Sequence, residues 1–351
     1  MDLITEVNNS LVQRGVWNFT PLLEPIPLSE QSWPKGTVPF VSICCITYNH
    51  ENFIQEAIDG FLMQKTTFPV EILIHDDASS DKTVNHLKNY SEKYPNLIKL
   101  ICQVENQYSK GLKPFLFIFK RAKGKYIATC EGDDYWFDSL KLHKQVKCLE
   151  ENPGFTLCFH NVNILYEDFP DKNCTLNNSE TTDITTLEDL AKGVNYIASA
   201  SAVIKADLIR ELPSWFNDVP FGDYALWILV ASHGRLKYLD ELMGTYRIHR
   251  GGVYGNLANS SQGLVKRHRQ HYQFWKVMKN NRLVSSKDSN PLILGHIECV
   301  IHEAYRSHQV HISFQHIVFL LLYSNGKAWK KAVISIFQLC RFYKDFFLSK
   351  I

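Results

Sequence analysis

The apolar positions of this chain begin in unbroken runs and soon alternate with stretches of helical spacing. Val38–Thr47 is a continuous run rich in β-branched and small apolar residues, which predicts a strand buried on both faces. Glu51–Gln64 then places Phe53, Ile54, Ala57, Ile58, Phe61 and Leu62 on one side of a helix. The couplet recurs three times. Val70–Ile74 precedes a helix over Asp81–Tyr94, Ile98–Gln103 one over Pro114–Lys120, and Tyr126–Cys130 one over Leu140–Glu150. Such alternation predicts an α/β fold, a mostly parallel sheet with helices on both faces. Ligands of these sheets bind beyond the carboxyl ends of the strands.

After Phe155 the pattern loosens. A strand is expected over Thr156–Ile164, a polar loop over Asp168–Asp183, a short helix at Leu187–Leu190 and an extended stretch over Tyr196–Ile204. A helix over Asp223–His233 and strands at Leu236–Leu239 and Met243–Ile248 follow, and from about Asn256 the spacing is helical to the end. The expected division is an irregular, proline-containing leader (1–37), an α/β domain (38–255) and a helical C-terminal region (256–351).

Composition narrows the class. At 45% hydrophobic and 21% charged residues the chain is globular, and a net charge of +2 gives no global field for nucleic acid. The N-terminal residues carry Asp2 and Glu6 and no apolar h-region, and no stretch reaches the roughly 18 apolar residues of a spanning helix. Nine cysteines, an odd number without paired metal spacing, lie mostly in apolar runs and point to reduced thiols in a reducing compartment. The expected location is cytoplasmic.

Polar clusters fall at strand ends. Thr47-Tyr48-Asn49-His50 follows the first strand, His75-Asp76-Asp77-Ala78-Ser79-Ser80-Asp81-Lys82-Thr83 the second, and Glu131-Gly132-Asp133-Asp134-Tyr135-Trp136 the fourth. Ser79 or Ser80 is expected to cap the helix that follows, with Asp81 in its first turn. Capping leaves two upstream aspartates to explain, and a carboxylate there suits a base N–H or a ribose hydroxyl. Adjacent carboxylates repel unless a cation lies among them, and hard cations such as Mg²⁺ and Mn²⁺ bridge carboxylates to phosphates. The plain alternative is an exposed acidic turn.

On these three ordered motifs the chain resembles glycosyltransferase family 2, over roughly residues 38–250. The resemblance implies the GT-A fold, a Rossmann-like sheet, and a nucleotide-diphospho-sugar donor (UDP-, GDP- or dTDP-linked) used with Mn²⁺ or Mg²⁺. By this resemblance Thr47, Tyr48 and Asn49 border the donor, Asp77 contacts the base, Asp133 the ribose or sugar, and Asp134 holds the metal. Phe221-Gly222-Asp223-Tyr224 resembles the position of the catalytic base, with Gly222 where the family more often has Glu. Tyr246-Arg247-Ile248-His249-Arg250 resembles the loop that closes over the diphosphate, where His249 would ligate metal and Arg247 and Arg250 would pair phosphate. The family's inverting chemistry makes Asp223 the base toward a hydroxyl of a saccharide or lipid-linked acceptor, as in surface polysaccharide synthesis. An inactive carbohydrate- or nucleotide-binding protein would also carry these motifs. A sugar nucleotidyltransferase or Rossmann oxidoreductase would want a glycine-rich loop after the first strand, and Cys44–His50 contains no glycine.

The C-terminal region carries no motif of this kind. Lys266-Arg267-His268-Arg269 is basic, and from Lys327 onward six Lys/Arg interleave with apolar residues around one acid, Asp345. Such a helix packs on its own domain, pairs with a second copy in a homodimer, or lies on the inner face of the cell membrane.

Overall fold

The computed structural model describes residues 18–252, 261–306 and His316. They form two compact units. The first holds residues 18–190, 195–217 and 226–248, and the second holds 191–194, 218–225 and the described residues from His249 onward.

The first unit is built on a ten-stranded sheet. Strands β1 (Val41–Thr47), β2 (Val70–Asp76), β3 (Ile98–Cys102) and β4 (Tyr126–Glu131) run parallel in the spatial order β3-β2-β1-β4. Each is followed by helix: α1 (Ile54–Leu62), α2 (Thr83–Lys93), the single turn α3 (Phe115–Ile118) and α4 (Lys141–Glu151). The register brings the carboxyl ends level, with Thr47 opposite Asp76 and Ile46 opposite Glu131. The fold is thus the α/β class that the alternation predicts.

Beyond β4 the sheet continues through β6 (Val203–Lys205), β5 (Phe155–Tyr166) and β7 (Arg235–Ile248). β6 is antiparallel to both of its neighbours, while β7 is parallel to β5. Two expectations change here. Leu236–Leu239 and Met243–Ile248 are halves of one strand whose register against β5 slips around Leu242. The slip leaves Asp240, Glu241 and Leu242 exposed, so the apolar pattern breaks while the chain stays extended. Of Tyr196–Ile204, Ser199–Ser201 is a tight 3₁₀ turn. Side chains rather than a ladder take its carbonyls: Thr129 Oγ1 donates to Ser199, Trp136 Nε1 to Ala200 and Gln145 Nε2 to Ser201.

Helix α1 buries Ile54, Ala57, Ile58, Phe61 and Leu62 in the core, as their spacing predicts. It lies so close to the next element that a Cβ on Gly60 would come within 2.7 Å of the Trp136 carbonyl oxygen. Residues of the leader contribute as well: Phe19 and Leu28 join the core, and Ile26–Pro27 pairs with Lys65–Thr66.

Helix α4 carries a buried cation. The Lys141 amine stands 3.7 Å over the Trp136 ring, fully buried and without a hydrogen-bond partner among the described residues. Burial pushes its pKa from 10.5 down to about 7, against a smaller upward pull from Cys130 and Cys158. Below pH 7 the amine is charged in both folded and unfolded chains, so the burial cost is complete there. Between about 7 and 10.5 only the unfolded chain holds the proton, and stability rises with pH. Lys141→Met is therefore expected to stabilise the protein by a few kcal/mol at pH 6 and by clearly less at pH 9. Denaturant unfolding at the two pH values reads the difference.

The second unit contains the helices α6 (Ser261–Asn280) and α7 (Ser286–Arg306), joined by a short turn with Arg282 at φ 59°. Helix α5 (Gly222–Ala231) begins in this unit, where Tyr224 stacks on Phe274 at 4.9 Å and meets Trp275 edge-on. The basic run lies on α6, with Lys266 and Arg269 exposed. His271 stacks on His296 at 4.6 Å, and burial holds both imidazoles down at about 4. Among the described residues no helix is long and apolar enough to cross a membrane. The basic, apolar stretch from Lys327 to the end lies outside the described residues.

Candidate active site

The acidic turn is locked onto the end of β1. The Gly132 N–H donates to Ile46 O (2.9 Å) and the Asp134 N–H to Glu131 O (3.1 Å). A Cβ on Gly132 would fall 2.7 Å from Thr47 Oγ1 and 2.9 Å from Thr47 Cβ. Gly132→Ala should therefore push the turn off β1, costing about 1–3 kcal/mol of stability. Unfolding curves check the effect.

Asp134 is 1% exposed. Its Oδ1 accepts the Arg247 N–H at 2.8 Å, whereas Oδ2 is buried with no hydrogen-bond partner among the described residues. Burial pushes this carboxyl well above the usual carboxylate range, and Asp133 and Glu131 add to the push against the relief from Arg247. One carboxylate oxygen from each of Glu131, Asp133 and Asp134 lies within 4.8 Å of the others. His50 Nε2 stands 3.7 Å from Asp133 Oδ2. An oxygen-rich, anionic cluster with an unsatisfied buried oxygen fits a hard divalent cation.

Arg247 is held by contacts within the first unit. Its side chain is 6% exposed. It donates from Nη1 to the Asp133 carbonyl at 2.9 Å and pairs with Glu56 and with Glu167, the latter at 2.7 Å. The guanidinium also lies over the rings of Phe53 (4.9 Å) and Tyr135 (4.8 Å). The Asp133 bond and the Tyr135 contact tie this side chain to the acidic turn, and Phe53, Glu56 and Glu167 hold it from other elements. Glu56 and Glu167 were missed by sequence reasoning, since one lies on an amphipathic helix and the other at the start of a polar loop.

The first two strand-end clusters are stitched together. The Asn49 N–H donates to Ser79 Oγ (2.9 Å), Ser80 N–H to Asn49 Oδ1 (2.8 Å), His50 N–H to Thr83 Oγ1 (2.8 Å) and Glu51 N–H to Asp81 Oδ2 (3.0 Å). Neither serine caps α2. The Thr83 N–H goes to Asp81 Oδ1 at 2.9 Å, while the Ser79 hydroxyl donates to Asp76 Oδ1. Asn49 and Ala78 hold positive φ angles of 54° and 64° in these turns. Thr47 is buried and Tyr48 is 45% exposed.

Asp77 clasps the loop after β3. Its Oδ1 accepts the Gln107 N–H at 2.8 Å and Oδ2 the Tyr108 N–H at 3.0 Å. Each oxygen keeps a second lone pair for a further donor. The first unit thus brings Thr47, Asp77, Asp133, Asp134 and Arg247 to adjacent strand ends. Asp223, His249 and Arg250 belong to the second unit. There Asp223 is half-buried in the first turn of α5, and His249 O accepts the Gly252 N–H at 3.1 Å in a tight turn with Arg250 exposed.

Comparison with known proteins agrees with this architecture. The family model for Glycosyl transferase family 2 matches residues 42–212. An uncharacterised protein of Mycobacterium tuberculosis is 34% identical over 267 residues, covering 74% of this chain and 70% of its own. The Escherichia coli protein WfaP, named as a UDP-Glc:α-D-GlcNAc-diphosphoundecaprenol β-1,3-glucosyltransferase, is 29% identical over 62% of this chain and 80% of its own. Among solved structures, the mannosyltransferase PcManGT of Pyrobaculum calidifontis, in complex with GDP-Man and Mn²⁺, shares the fold. Its TM-score is 0.52 at 17% identity, over 96% of this chain and 92% of that one. The chain belongs to glycosyltransferase family 2 and has the GT-A fold.

Proposed function

We propose that the protein is a metal-dependent, inverting hexosyltransferase. It moves a sugar from a nucleotide-diphosphate donor to a hydroxyl of a saccharide or lipid-linked acceptor, in surface polysaccharide synthesis. The observation that carries the reading is the buried Asp134 oxygen, left without a partner beside Asp133 and Glu131 at level strand ends. The E. coli relative, named for an acceptor sugar linked to diphosphoundecaprenol, supports a lipid-linked acceptor.

In this reading Asp77 takes the base through the lone pairs left by Gln107 and Tyr108, beside Thr47, Tyr48 and Asn49, and Asp133 takes the ribose or sugar. Arg247 acts through the acidic pair, and Arg250 meets phosphate. A divalent cation, Mn²⁺ or Mg²⁺, held by Asp134 with His249, would offset charge on the departing diphosphate. Asp223 removes the proton from the acceptor hydroxyl as that oxygen attacks the anomeric carbon, and the bond to the diphosphate breaks with inversion. No covalent sugar–enzyme intermediate is required.

The test is a thermal-shift screen of UDP, GDP and dTDP and their sugars, with and without Mn²⁺. The correct nucleotide raises the melting temperature, by about 2.7 kcal/mol of added stability at 100 times its Kd, and does so only with metal. A protein that no nucleotide diphosphate stabilises under either condition is not this transferase.

A further inference from the structure

A cavity of about 370 Å³ opens beside the acidic turn. Its volume is in the range of about 300–1,000 Å³ common for small-molecule sites. One rung of the sheet builds it. Tyr135, the residue after Asp134, is opposite Thr245 of β7; Thr245 is opposite Asn163 of β5; and Asn163 is opposite Thr175 in the short strand Cys174–Thr175. Residues on one rung share a face, so a phenol, two hydroxyls and an amide line up next to the metal-site candidate.

Some of these groups have hydrogen-bonding capacity to spare. Thr245 is 1% exposed, and its Oγ1 makes no hydrogen bond among the described residues. Thr175 Oγ1 donates to Asn177 O at 3.2 Å, which leaves its lone pairs. Asn173 uses its Oδ1 on the Tyr166 N–H and keeps two amide donors. Among the described residues no charged side chain lines the cavity. A phosphate or carboxylate would find no counter-charge there, whereas a neutral ring bearing many hydroxyls would find amides, hydroxyls and an aromatic face.

We propose that this cavity is a saccharide subsite, seating a sugar ring against Tyr135 with its hydroxyls on Asn163, Thr175 and Thr245. The proposal deepens the glycosyl-transfer reading above and rests on it. The sugar belongs either to the donor or to the acceptor, and one experiment separates the two. Cys174 is exposed at the cavity, so its alkylation by iodoacetamide reports occupancy, with exposed Cys102 and Cys299 as internal references. Peptide mapping by mass spectrometry gives the three rates on the full chain with Mn²⁺. The mixtures contain the nucleotide diphosphate that gives the largest thermal shift, its sugar conjugate, or the nucleotide plus octyl glycosides of glucose and N-acetylglucosamine.

The expected result is a several-fold slowing at Cys174 alone with a sugar-bearing ligand, and none with the nucleotide by itself. Slowing by the conjugate assigns the donor's sugar; slowing only by a glycoside assigns the acceptor's. Thr245→Val and Asn163→Ala should each weaken that sugar about 3–10-fold, as loss of a neutral hydrogen bond does, with nucleotide affinity unchanged. Thr245→Ser, which keeps the hydroxyl, should restore it. Equal Cys174 rates in every mixture, with nucleotide binding intact, overturn the subsite and leave the transferase reading standing. Failure of the nucleotide to bind at all overturns both.

Discussion

Asp134→Asn is expected to lower sugar transfer by roughly 10²–10³-fold, the span for deleting one preorganised charge-stabilising group, while making the metal-free protein more heat-stable. The two effects share one cause. The Asp134 carboxyl is buried beside Asp133 and Glu131, which lifts its pKa well above 3.8. A carboxyl lifted in this way binds its proton more tightly folded than unfolded. Its stabilising contribution is complete at pH below about 4, near the unfolded value, and is lost as pH rises through the folded value. Asparagine cannot ionise, so the variant should show a flatter stability–pH curve above pH 4 and a higher melting temperature at neutral pH. Its amide oxygen can still accept the Arg247 N–H, which keeps the turn in place. Melting curves with and without Mn²⁺ are decisive. Wild type gains stability from metal plus nucleotide and the variant does not; equal gains in both proteins would remove Asp134 from the metal site.

Asp223→Asn should lose transfer by roughly 10²–10⁴-fold, the range for removal of a general base, with donor affinity barely changed. The residue occupies the first turn of α5, where a carboxylate also favours the helix dipole, so the bland role of a helix-end acid competes with the catalytic one. Asparagine separates them. It retains a hydrogen-bonding side chain at the helix start and costs a few tenths of a kcal/mol to about 1 kcal/mol if the role is only structural. The helix itself is secured independently, since Tyr224 to Ala231 are all buried. Steady-state transfer, nucleotide titration and unfolding on one preparation give the three readings. A variant that transfers sugar at the wild-type rate assigns the base elsewhere.

The strand–helix order and the acidic turn were legible because periodicity and burial follow side-chain type alone. β1 through β4 read directly, as unbroken apolar runs must be covered on both faces. What could not be read was the use of polar side chains as ties. Ser79 and Ser80 look like helix caps in sequence, yet the Ser79 hydroxyl goes to Asp76 and both residues are tied to Asn49, some thirty residues earlier. The charge and position of Arg247 are visible in a sequence, whereas Phe53, Glu56, Tyr135 and Glu167 converge on it only in space. The slip in β7 hid one long strand as two for the same reason. Around Leu242 β7 carries residues that have no partner in β5.

The bond from the Arg247 N–H to Asp134 joins positions 113 residues apart. Contacts of such separation form late, because the loop they close has lost most of its freedom before the contact repays it. During synthesis β1 to β4 can pair as soon as they emerge, whereas the Asp134 carboxylate acquires its tie only once β7 has docked on β5. The nascent chain would carry a sheet before it carries a site. Hydrogen exchange during refolding should show the Arg247 amide protected after the amides of β1 and β2.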